Sequence, residues 1–286
     1  MGLRSLFTHF VVGNAIGLGQ FGKVYLAHSK QVQRSVMTAP YHKVLPGKKV
    51  AVKVIHKKND SKLLLETQIN EIEILRVCNH QNVKIYIVME YIDGVDLIHY
   101  IKKKKRLTDN EMQDISVQIV EGVKHLHELG IVHRDLKLEN IMVVSDQDNK
   151  GEERIRVKLI DFGLAKILTS LEKTTQWCGT LSFCSPEIVR EQPYNQKSDI
   201  WALGVILHLL LTKCYPFMDK NFEMTKRQIL EKVLTINSQK IKKLPVQVQS
   251  TILKILEKNQ DERPSIQEVI EFPWIKHLRK KYLKIM

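Results

Sequence analysis

Three glycines that could hold a phosphate group, Gly17, Gly19 and Gly22, fall within one turn between two predicted strands. Without Cβ atoms, the backbone of such a turn can come close to a polyphosphate and donate amide hydrogens to it. The same spacing marks dinucleotide sites, but those require a helix directly after the glycines and an acidic residue about twenty residues later. Residues 23–27 are strand-like instead, so the pattern favours a phosphate-binding turn.

A lysine, Lys53, lies among the small and β-branched residues of Val50–Lys53, on another predicted strand. An ammonium group in such surroundings needs a partner. Glu71, on the helix that is predicted to follow, is its natural counter-ion, and an ion pair would hold the lysine towards bound phosphates. Taken alone, Lys53 would be better interpreted as a surface residue of an edge strand.

The sharpest signal is a pair of motifs, Ile131–Ile141 with the sequence IVHRDLKLENI and Lys158–Gly163 with the sequence KLIDFG. In their order after the glycine-rich turn and Lys53, they resemble the eukaryotic protein kinases over roughly residues 10–277. The resemblance is to the serine/threonine type. The sequences GVDL at residues 94–97 and CGT at residues 178–180 are most like those of the calmodulin-dependent and checkpoint kinase group.

The resemblance implies transfer of the γ-phosphate of ATP to serine or threonine hydroxyls of protein substrates. Asp135 would accept or orient the proton of the substrate hydroxyl. Asn140 and Asp161 would hold the Mg²⁺ ions that bridge the phosphates. ATP and Mg²⁺ are therefore the expected cofactors.

Basic side chains would complete the implied phosphate site. Lys53, paired with Glu71, would bind the α- and β-phosphates. Lys137 would approach the γ-phosphate, and together with Thr180 it indicates serine/threonine rather than tyrosine specificity.

The resemblance also implies an adenine site formed by side chains and by connector backbone, at Val24, Ala51, Met89, Glu90, Tyr91 and Met142. The base would lie between Val24 and Ala51 on one side and Met142 on the other. Its hydrogen bonds would go to the backbone of residues 90 and 91. Met89 matches the gatekeeper position, although a methionine there is also an ordinary core residue.

Two acidic residues bear on substrate choice. Asp96 and Glu139 occupy positions that, in basophilic kinases, face a basic residue upstream of the phosphorylated site. We therefore expect substrates with an arginine or lysine at that position.

The residue Arg134, beside Asp135, suggests control by phosphorylation, because a phosphate on the segment around residue 175 could pair with it. In many similar kinases the phosphorylated threonine occupies the position of Gln176 here. Thr175 is therefore predicted as the first candidate for phosphorylation and Thr174 as the second.

Other charged residues are expected to support the scaffold. Glu187 would pair with Arg263, and Asp199 would steady the loop that carries Asp135. Buried charges are normally retained only with partners, so these carboxylates are predicted to be structural.

The elements that must position these residues form two groups. Up to residue 90 the sequence predicts strands around one helix, Leu63–Val77, and from residue 94 onward helices dominate, as in the apolar repeat of Thr108–Leu129. The polar run Ser145–Glu153 reads as a loop. The predicted fold is α+β and two-lobed, with a small antiparallel β lobe and a larger, mainly helical lobe.

The predicted domain boundaries follow from this division. The kinase domain covers residues 10–277, with the small lobe at 10–90, the hinge at 91–94 and the large lobe at 95–277. A short basic tail follows at 278–286.

The sequence departs from the family before the hinge strand. His80–Lys84 runs almost directly into Ile85, so the fourth strand of the small lobe is predicted to be missing. The helix with Glu71 would then be poorly anchored. A kinase-fold scaffold or a weakly active pseudokinase is therefore the alternative function, although the joint presence of Asp135, Asn140 and Asp161 favours an active enzyme.

The net charge is +14, from 45 Lys and Arg against 31 Asp and Glu. Such a charge would suit nucleic acid, anionic lipid or acidic partners. The basic residues are scattered, however, and the densest runs, Lys102–Arg106 and Arg279–Lys281, lack the interleaved aromatics of a single-strand-binding surface. We expect protein substrates and an upstream activating kinase as partners, neither nucleic acid nor membrane, and a monomer.

Cysteine usage and hydropathy are typical of a cytoplasmic protein, with the nucleus as the alternative compartment. The four cysteines form no CxxC pair, which favours reduced thiols. The N-terminus lacks an apolar signal-peptide region. The longest strongly apolar stretch, Ile200–Thr212, contains His208 and is too short to span a bilayer.

Overall fold

The structure is a computed structural model that describes residues 10–19, 22–30, 47–55, 85–147, 153–168, 172–235 and 240–283. The chain divides into two compact units, residues 1–93 and 94–286. The predicted helix Leu63–Val77, with Glu71, and the segment His80–Lys84 lie outside the described residues.

The first unit contains an antiparallel sheet of four strands in the order β1-β2-β3-β4. Its strands are β1 (Phe10–Gly19), β2 (Gly22–Ser29), β3 (Lys49–Ile55) and β4 (Ile85–Glu90). The strands predicted at residues 23–27 and around Lys53 are confirmed. Among the described residues the sheet ends at β4, which pairs with β3 along its whole length.

Alternation along the strands explains how this sheet buries one face. Side chains two residues apart point to the same side of a strand. Val50, Val52 and Val54 on β3 therefore share a face, and they form a buried apolar cluster with Phe10 and Ala27. β-branched residues suit this half-buried, pleated surface.

The second unit is mainly helical. Its α-helices are α1 (Leu97–Lys104), α2 (Asp109–Glu128), α3 (Pro186–Val189), α4 (Lys197–Thr212), α5 (Phe222–Glu231), α6 (Val246–Ile255), α7 (Ile266–Val269) and α8 (Pro273–Leu283). Its strands are β5 (Val95–Asp96), β6 (Ile131–Val132), β7 (Ile141–Gln147), β8 (Glu153–Leu159) and β9 (Lys166–Ile167). They form two antiparallel sheets, β5-β7-β8 and β6-β9.

The loop predicted at Ser145–Glu153 is shorter than expected at both ends. Ser145 to Gln147 belong to β7 and Glu153 belongs to β8, with Gln147 paired to Glu153, and residues 148–152 lie outside the described residues. Polar residues suit these strand ends because the ends are exposed, as the side chains of Ser145 and Arg154 show. Polarity alone did not distinguish an exposed hairpin from a loop.

The helix predicted at Thr108–Leu129 is confirmed as α2. Thr108 is its N-cap: the Thr108 hydroxyl accepts a hydrogen bond from the Glu111 amide at 3.2 Å, and the Glu111 carboxylate accepts one from the Thr108 amide at 2.7 Å. This reciprocal capping box satisfies backbone donors that a helix start leaves unpaired. The helix ends before Gly130, which has a positive φ of 74°.

Helix α4 is the centre of the second unit. Nearly all of its residues are buried, including Ile200, Trp201 and Leu203, and a helix that is apolar on every side must lie within a core. α2 and α6 both pack against it. None of the helices in the described ranges combines the length and the apolar character that a membrane crossing requires.

The cysteines of the described ranges, Cys178, Cys184 and Cys214, are free thiols. Burial raises the pKa of the Cys184 thiol to about 12 and also raises that of Cys178. Both are therefore protonated and unreactive at neutral pH. Cys78 lies outside the described residues.

Candidate active site

The Asp135 carboxylate is surrounded by three side chains that donate hydrogen bonds to it. Lys137 Nζ lies 2.7 Å from Oδ2, Asn140 Nδ2 lies 3.0 Å from Oδ2, and Thr180 Oγ1 lies 3.3 Å from Oδ1. Lys137 Nζ also donates to Thr180 Oγ1 at 3.1 Å. The predicted catalytic residues of this unit thus form one connected group around a single carboxylate.

A buried carboxylate from α4 holds the loop on which Asp135 lies. Asp199, 1% exposed, accepts hydrogen bonds from the backbone amides of His133 at 2.8 Å and Arg134 at 2.9 Å. Its Oδ2 also lies 3.0 Å from His127 Nε2. Burial alone would raise the pKa of Asp199, but the contacts with His127 and His133 outweigh burial and lower it. Asp199 therefore stays ionised and fixes the loop, as predicted.

Two hydrogen bonds to Asp135 orient the side-chain amide of Asn140. Its Nδ2 donates both to the Asp135 backbone carbonyl at 2.8 Å and to the Asp135 carboxylate. Because both bonds use the amide nitrogen, the amide oxygen remains as the acceptor or ligand atom. The position of Asn140 on the short 3₁₀ turn Leu138–Asn140 is thereby fixed.

Asp161 is held next to this group through its neighbours. The Ile160 amide donates to the Asn140 carbonyl at 2.9 Å, and His133 Nε2 lies 3.1 Å from the Ile160 carbonyl. The rings of His133 and Phe162 pack with centroids 5.1 Å apart. Asp161 itself has a φ of 62°, a left-handed conformation that aspartate tolerates better than most residues.

The oxygen atoms of Asn140 and Asp161 fit Mg²⁺, which prefers carboxylate and other oxygen ligands and usually keeps waters and phosphate oxygens as well. In the described part of the chain, no group of three or more His, Cys, Asp or Glu side chains could hold a metal ion.

The predicted nucleotide residues of the first unit share one face of its sheet. Val24 is paired with Lys53 across β2 and β3, and Ala51 is paired with Met89 across β3 and β4. Paired residues, and residues two apart, point to the same side of a sheet. This face lies opposite the apolar cluster, and Lys53 is only 4% exposed.

The other predicted nucleotide residues have these locations. Gly17, Gly19 and Gly22 lie where β1 turns into β2, with Gly19 paired to Gly22. Glu90 ends β4, and Tyr91 follows it. Met142 is half-buried on β7 of the second unit, and Glu71 falls outside the described residues.

The two predicted substrate residues differ in their contacts. Asp96 is the N-cap of α1: its carboxylate accepts a hydrogen bond from the His99 amide at 2.8 Å and lies 2.7 Å from His99 Nδ1. Glu139 is exposed, and its charge adds to burial in raising the pKa of Tyr215. Glu139 is thus the more available carboxylate for a basic substrate residue.

The two predicted phosphorylation sites also differ. Thr175 is exposed, whereas Thr174 is only 6% exposed and forms two backbone hydrogen bonds with Tyr194, each of 2.9 Å. Gln176, two residues before the CGT sequence, contacts Arg134 through its side chain.

Two residues that support this region pair as expected. The Arg263 guanidinium donates to both oxygens of the Glu187 carboxylate, at 2.6 and 2.8 Å, and both side chains are buried. The bidentate geometry satisfies a charge pair that would otherwise be costly to bury.

Sequence reasoning missed two contacts of the site. It did not identify His127 as a partner of Asp199, nor Gln176 as a partner of Arg134. The partners are 72 and 42 residues apart in the chain. Their pairing depends on how α2 packs on α4 and on the path of the 172–183 segment, so no local pattern indicated it.

Comparison with known proteins agrees with this geometry. The family model for the protein kinase domain matches residues 10–275. The probable serine/threonine-protein kinase MARK-A of Dictyostelium discoideum is 31% identical over 280 residues, which cover 93% of this chain and 24% of the relative. Sperm motility kinase 2B of Mus musculus is 30% identical over 285 residues, covering 96% and 53%.

A yeast relative gives a similar result. The DNA damage response protein kinase DUN1 of Saccharomyces cerevisiae is 30% identical over 306 residues, covering 97% of this chain and 57% of that protein. The chain therefore spans between about a quarter and a little over half the length of these curated relatives.

Proposed function

The chain belongs to the protein kinase family, among its serine/threonine members, and we propose that it transfers the γ-phosphate of ATP to serine or threonine hydroxyls of proteins. The observation that carries this proposal is the Asp135 carboxylate, fixed by Lys137, Asn140 and Thr180. A base must be held in one orientation to take a proton from a substrate hydroxyl.

In the proposed reaction, Asp135 orients the substrate hydroxyl and accepts its proton while the new oxygen–phosphorus bond forms. The bond between the γ-phosphorus and the bridging oxygen of ADP breaks in the same step. Lys137 supplies a positive charge beside Asp135, where negative charge on the transferred group must be stabilised. The contact between Lys137 and Thr180 orients that charge.

Asn140 and Asp161 are the residues proposed to hold magnesium. When bound, Mg²⁺ offsets the negative charge of the phosphates. The Asn140 amide is oriented in advance by its two donations to Asp135, and Asp161 is held by the backbone contacts of Ile160. Little reorganisation is then required when the substrate arrives.

The sheet face with Val24, Ala51, Lys53 and Met89 is proposed to bind the nucleotide. Lys53 would bind the α- and β-phosphates, with Glu71 as its partner. Gly17, Gly19 and Gly22 would allow the backbone to approach the phosphates. The backbone of residues 90 and 91 would provide the hydrogen bonds to the adenine.

We further propose that the preferred substrates carry arginine or lysine upstream of the phosphorylated residue. Glu139 is exposed and can pair with a guanidinium. Asp96 already caps α1 and contacts His99, so it contributes less. In a peptide array, the Glu139→Gln variant should lose most of the preference for the basic residue. A preference that is the same in both proteins would contradict this assignment.

The decisive test is a phosphate-transfer assay with ATP, magnesium and arginine-containing serine/threonine peptides. The Asp135→Asn variant should lose at least about 100-fold in kcat, which is the contribution expected of a positioned base. Asp109→Asn is the matched control, because it makes the same chemical change on an exposed residue of α2. It should keep wild-type activity.

The same assay separates the alternative function, a kinase-fold scaffold, from the enzyme. Transfer that is absent from folded wild-type protein, together with thermal stabilisation by ATP, would contradict the proposed catalysis and favour the scaffold. Transfer by the wild type and by Asp109→Asn, but not by Asp135→Asn, would support the enzyme.

A further inference from the structure

The Arg134 guanidinium is a buried positive charge with only neutral partners in the described part of the chain. The side chain is 5% exposed. Its Nε donates to the Leu164 carbonyl and its Nη1 donates to the Gln176 amide oxygen at 2.9 Å. Its Nη2 has no hydrogen-bond partner among the described residues. A buried charge normally requires close compensation, so the Gln176 contact matters more than an ordinary surface hydrogen bond.

Gln176 is held by hydrogen bonds at its side chain and at both ends of its backbone. Besides accepting from Arg134, it donates its amide hydrogen to the Thr174 hydroxyl at 3.4 Å. Its carbonyl accepts a hydrogen bond from the Tyr194 hydroxyl at 2.6 Å. Tyr194 is 1% exposed, and burial raises the pKa of its hydroxyl, which therefore remains a donor. Few conformations can satisfy all three contacts.

The residues after Gln176 pack against the loop that carries Asp135, residues 133–140, which we call the catalytic loop. Gly179 has a φ of 95°, and a Cβ atom there would lie 2.7 Å from the Arg134 carbonyl oxygen. The segment therefore runs directly against the loop. The next residue, Thr180, contacts both Asp135 and Lys137. A shift at Gln176 would move Thr180 and alter the surroundings of Asp135.

We propose that Gln176 is a positioning residue, whose amide oxygen binds Arg134 and fixes the segment 174–180 against the catalytic loop without a phosphate group. The inference deepens the proposed kinase function and rests on it for its activity readout. Thr174 does not serve this purpose as a phosphorylated residue, since it is buried and its hydroxyl accepts from Gln176. A phosphate on exposed Thr175 is then not required for the segment to be ordered.

The first measurement uses the full chain, treated with a phosphatase and confirmed by intact mass to carry no phosphate. The unphosphorylated wild-type protein should transfer phosphate. Gln176→Met, which keeps the length of the side chain but removes the acceptor, should lower kcat about tenfold with little change in the KM for ATP. Gln247→Met, at an exposed position of α6, is the matched control and should behave as wild type.

The conservative variant Gln176→Glu provides the rescue. A carboxylate at this position has two oxygens, which could accept from both Nη1 and Nη2 of Arg134. It should therefore retain at least wild-type kcat without phosphorylation. A structural role that depended only on volume would not distinguish glutamate from methionine.

Hydrogen exchange over residues 172–183 provides a readout that does not depend on catalysis. Exchange should increase in Gln176→Met and not in Gln176→Glu. Tyr194→Phe removes the donation to the Gln176 carbonyl and the 3.3 Å contact of the same hydroxyl with Cys178 Sγ, both within this segment. It should increase exchange in the same segment if Gln176→Met fails to fold.

These outcomes separate the inference from the proposed function. If the wild-type protein transfers no phosphate but the variants show the expected exchange pattern, the result would contradict the kinase activity and support the positioning role. Activity that requires phosphate on Thr175 or Thr174, or unchanged exchange in both Gln176→Met and Tyr194→Phe, would overturn the inference.

Discussion

One carboxylate in the second unit accepts hydrogen bonds from two backbone amides of the catalytic loop. These hydrogen bonds hold the loop in an unfavourable backbone conformation. Arg134 has a φ of 66°, a left-handed conformation that costs a non-glycine residue roughly 1–2 kcal/mol. Asp199 accepts hydrogen bonds from the amides of Arg134 and its neighbour His133. These charge-assisted bonds can offset that cost, so the conformation is stable only while Asp199 is in place.

A single hydroxyl in the same region leads to a prediction about stability. Ser185 is fully buried, and its Oγ has no hydrogen-bond partner among the described residues. Because an unsatisfied buried hydroxyl is destabilising, Ser185→Ala should increase the free energy of unfolding by about 1 kcal/mol. Thermal denaturation should show a Tm higher by about 2–4 °C.

Ser198 is the matched control for this prediction. It is also buried, but its hydroxyl donates to the Asn195 carbonyl at 2.9 Å. Ser198→Ala should therefore lower the Tm, since it leaves a buried carbonyl with one partner fewer. A Tm that moves in the same direction in both variants would contradict the explanation.

At the scale of residues, the sequence predicted the motif positions and missed the long-range partners. Asp135, Asn140 and Asp161 lie within short motifs whose residue order alone indicates the chemistry. His127 and Gln176 carry no such signal, because their contacts exist only after distant elements have packed. Asp96 has a structural role that its motif did not indicate, because its carboxylate also caps α1.

At the scale of elements, one lysine connects three of the helical segments. Lys258, after α6, donates to the carbonyl of Ile229 in the last turn of α5. Its Nζ also lies 4.5 Å from the centroid of the Phe217 ring and 5.6 Å from that of Trp201 on α4. A cation near the C-terminus of a helix interacts favourably with the helix dipole, so these contacts offset part of the cost of burying the ammonium group.

The same lysine should make stability depend on pH. Burial, with repulsion from Arg190, lowers the pKa of Lys258 from 10.5 to about 8 in the folded chain. Between these values the unfolded chain binds the additional proton, so stability should rise as the pH increases from 8 towards 10.5. The gain should stay below about 1 kcal/mol because the side chain is partly solvated.

The measurement compares wild type with Lys258→Met in urea at pH 7.5 and at pH 9.5. The difference in unfolding free energy should shift in favour of wild type at the higher pH. The comparison cancels the titration of other lysines and tyrosines. A shift in favour of the variant would show that the carbonyl and aromatic contacts raise the pKa of Lys258 instead.

The elements themselves were predictable where their patterns were strong. The apolar period over Thr108–Leu129 identified α2 closely, because the buried face of a helix is a local pattern in the sequence. The β7–β8 hairpin was missed in part, since its exposed ends carry the same polar residues as a loop. Backbone pairing, not composition, distinguishes the two structures.

At the scale of the whole molecule, the charge of +14 leads to a prediction about nucleic acids. Scattered lysines can bind phosphates only without sequence preference, and such binding weakens steeply with salt. Single-stranded and duplex DNA should therefore bind weakly at 50 mM salt and lose detectable binding at 200 mM salt, as measured by fluorescence anisotropy. Oligonucleotides of different sequence serve as the control. Binding that survives 200 mM salt with a sequence preference would contradict the expected absence of nucleic-acid partners.

The distance along the chain between Asp199 and the loop that it holds has a consequence for protein synthesis. The amides of His133 and Arg134 depend on a carboxylate that is 66 and 65 residues further along. A nascent chain that has emerged only as far as Asn140 has every residue of the loop but not the group that shapes it. Translation must therefore pass Asp199, in the first turn of α4, before the loop can adopt its final conformation, and partial products released earlier should lack that conformation.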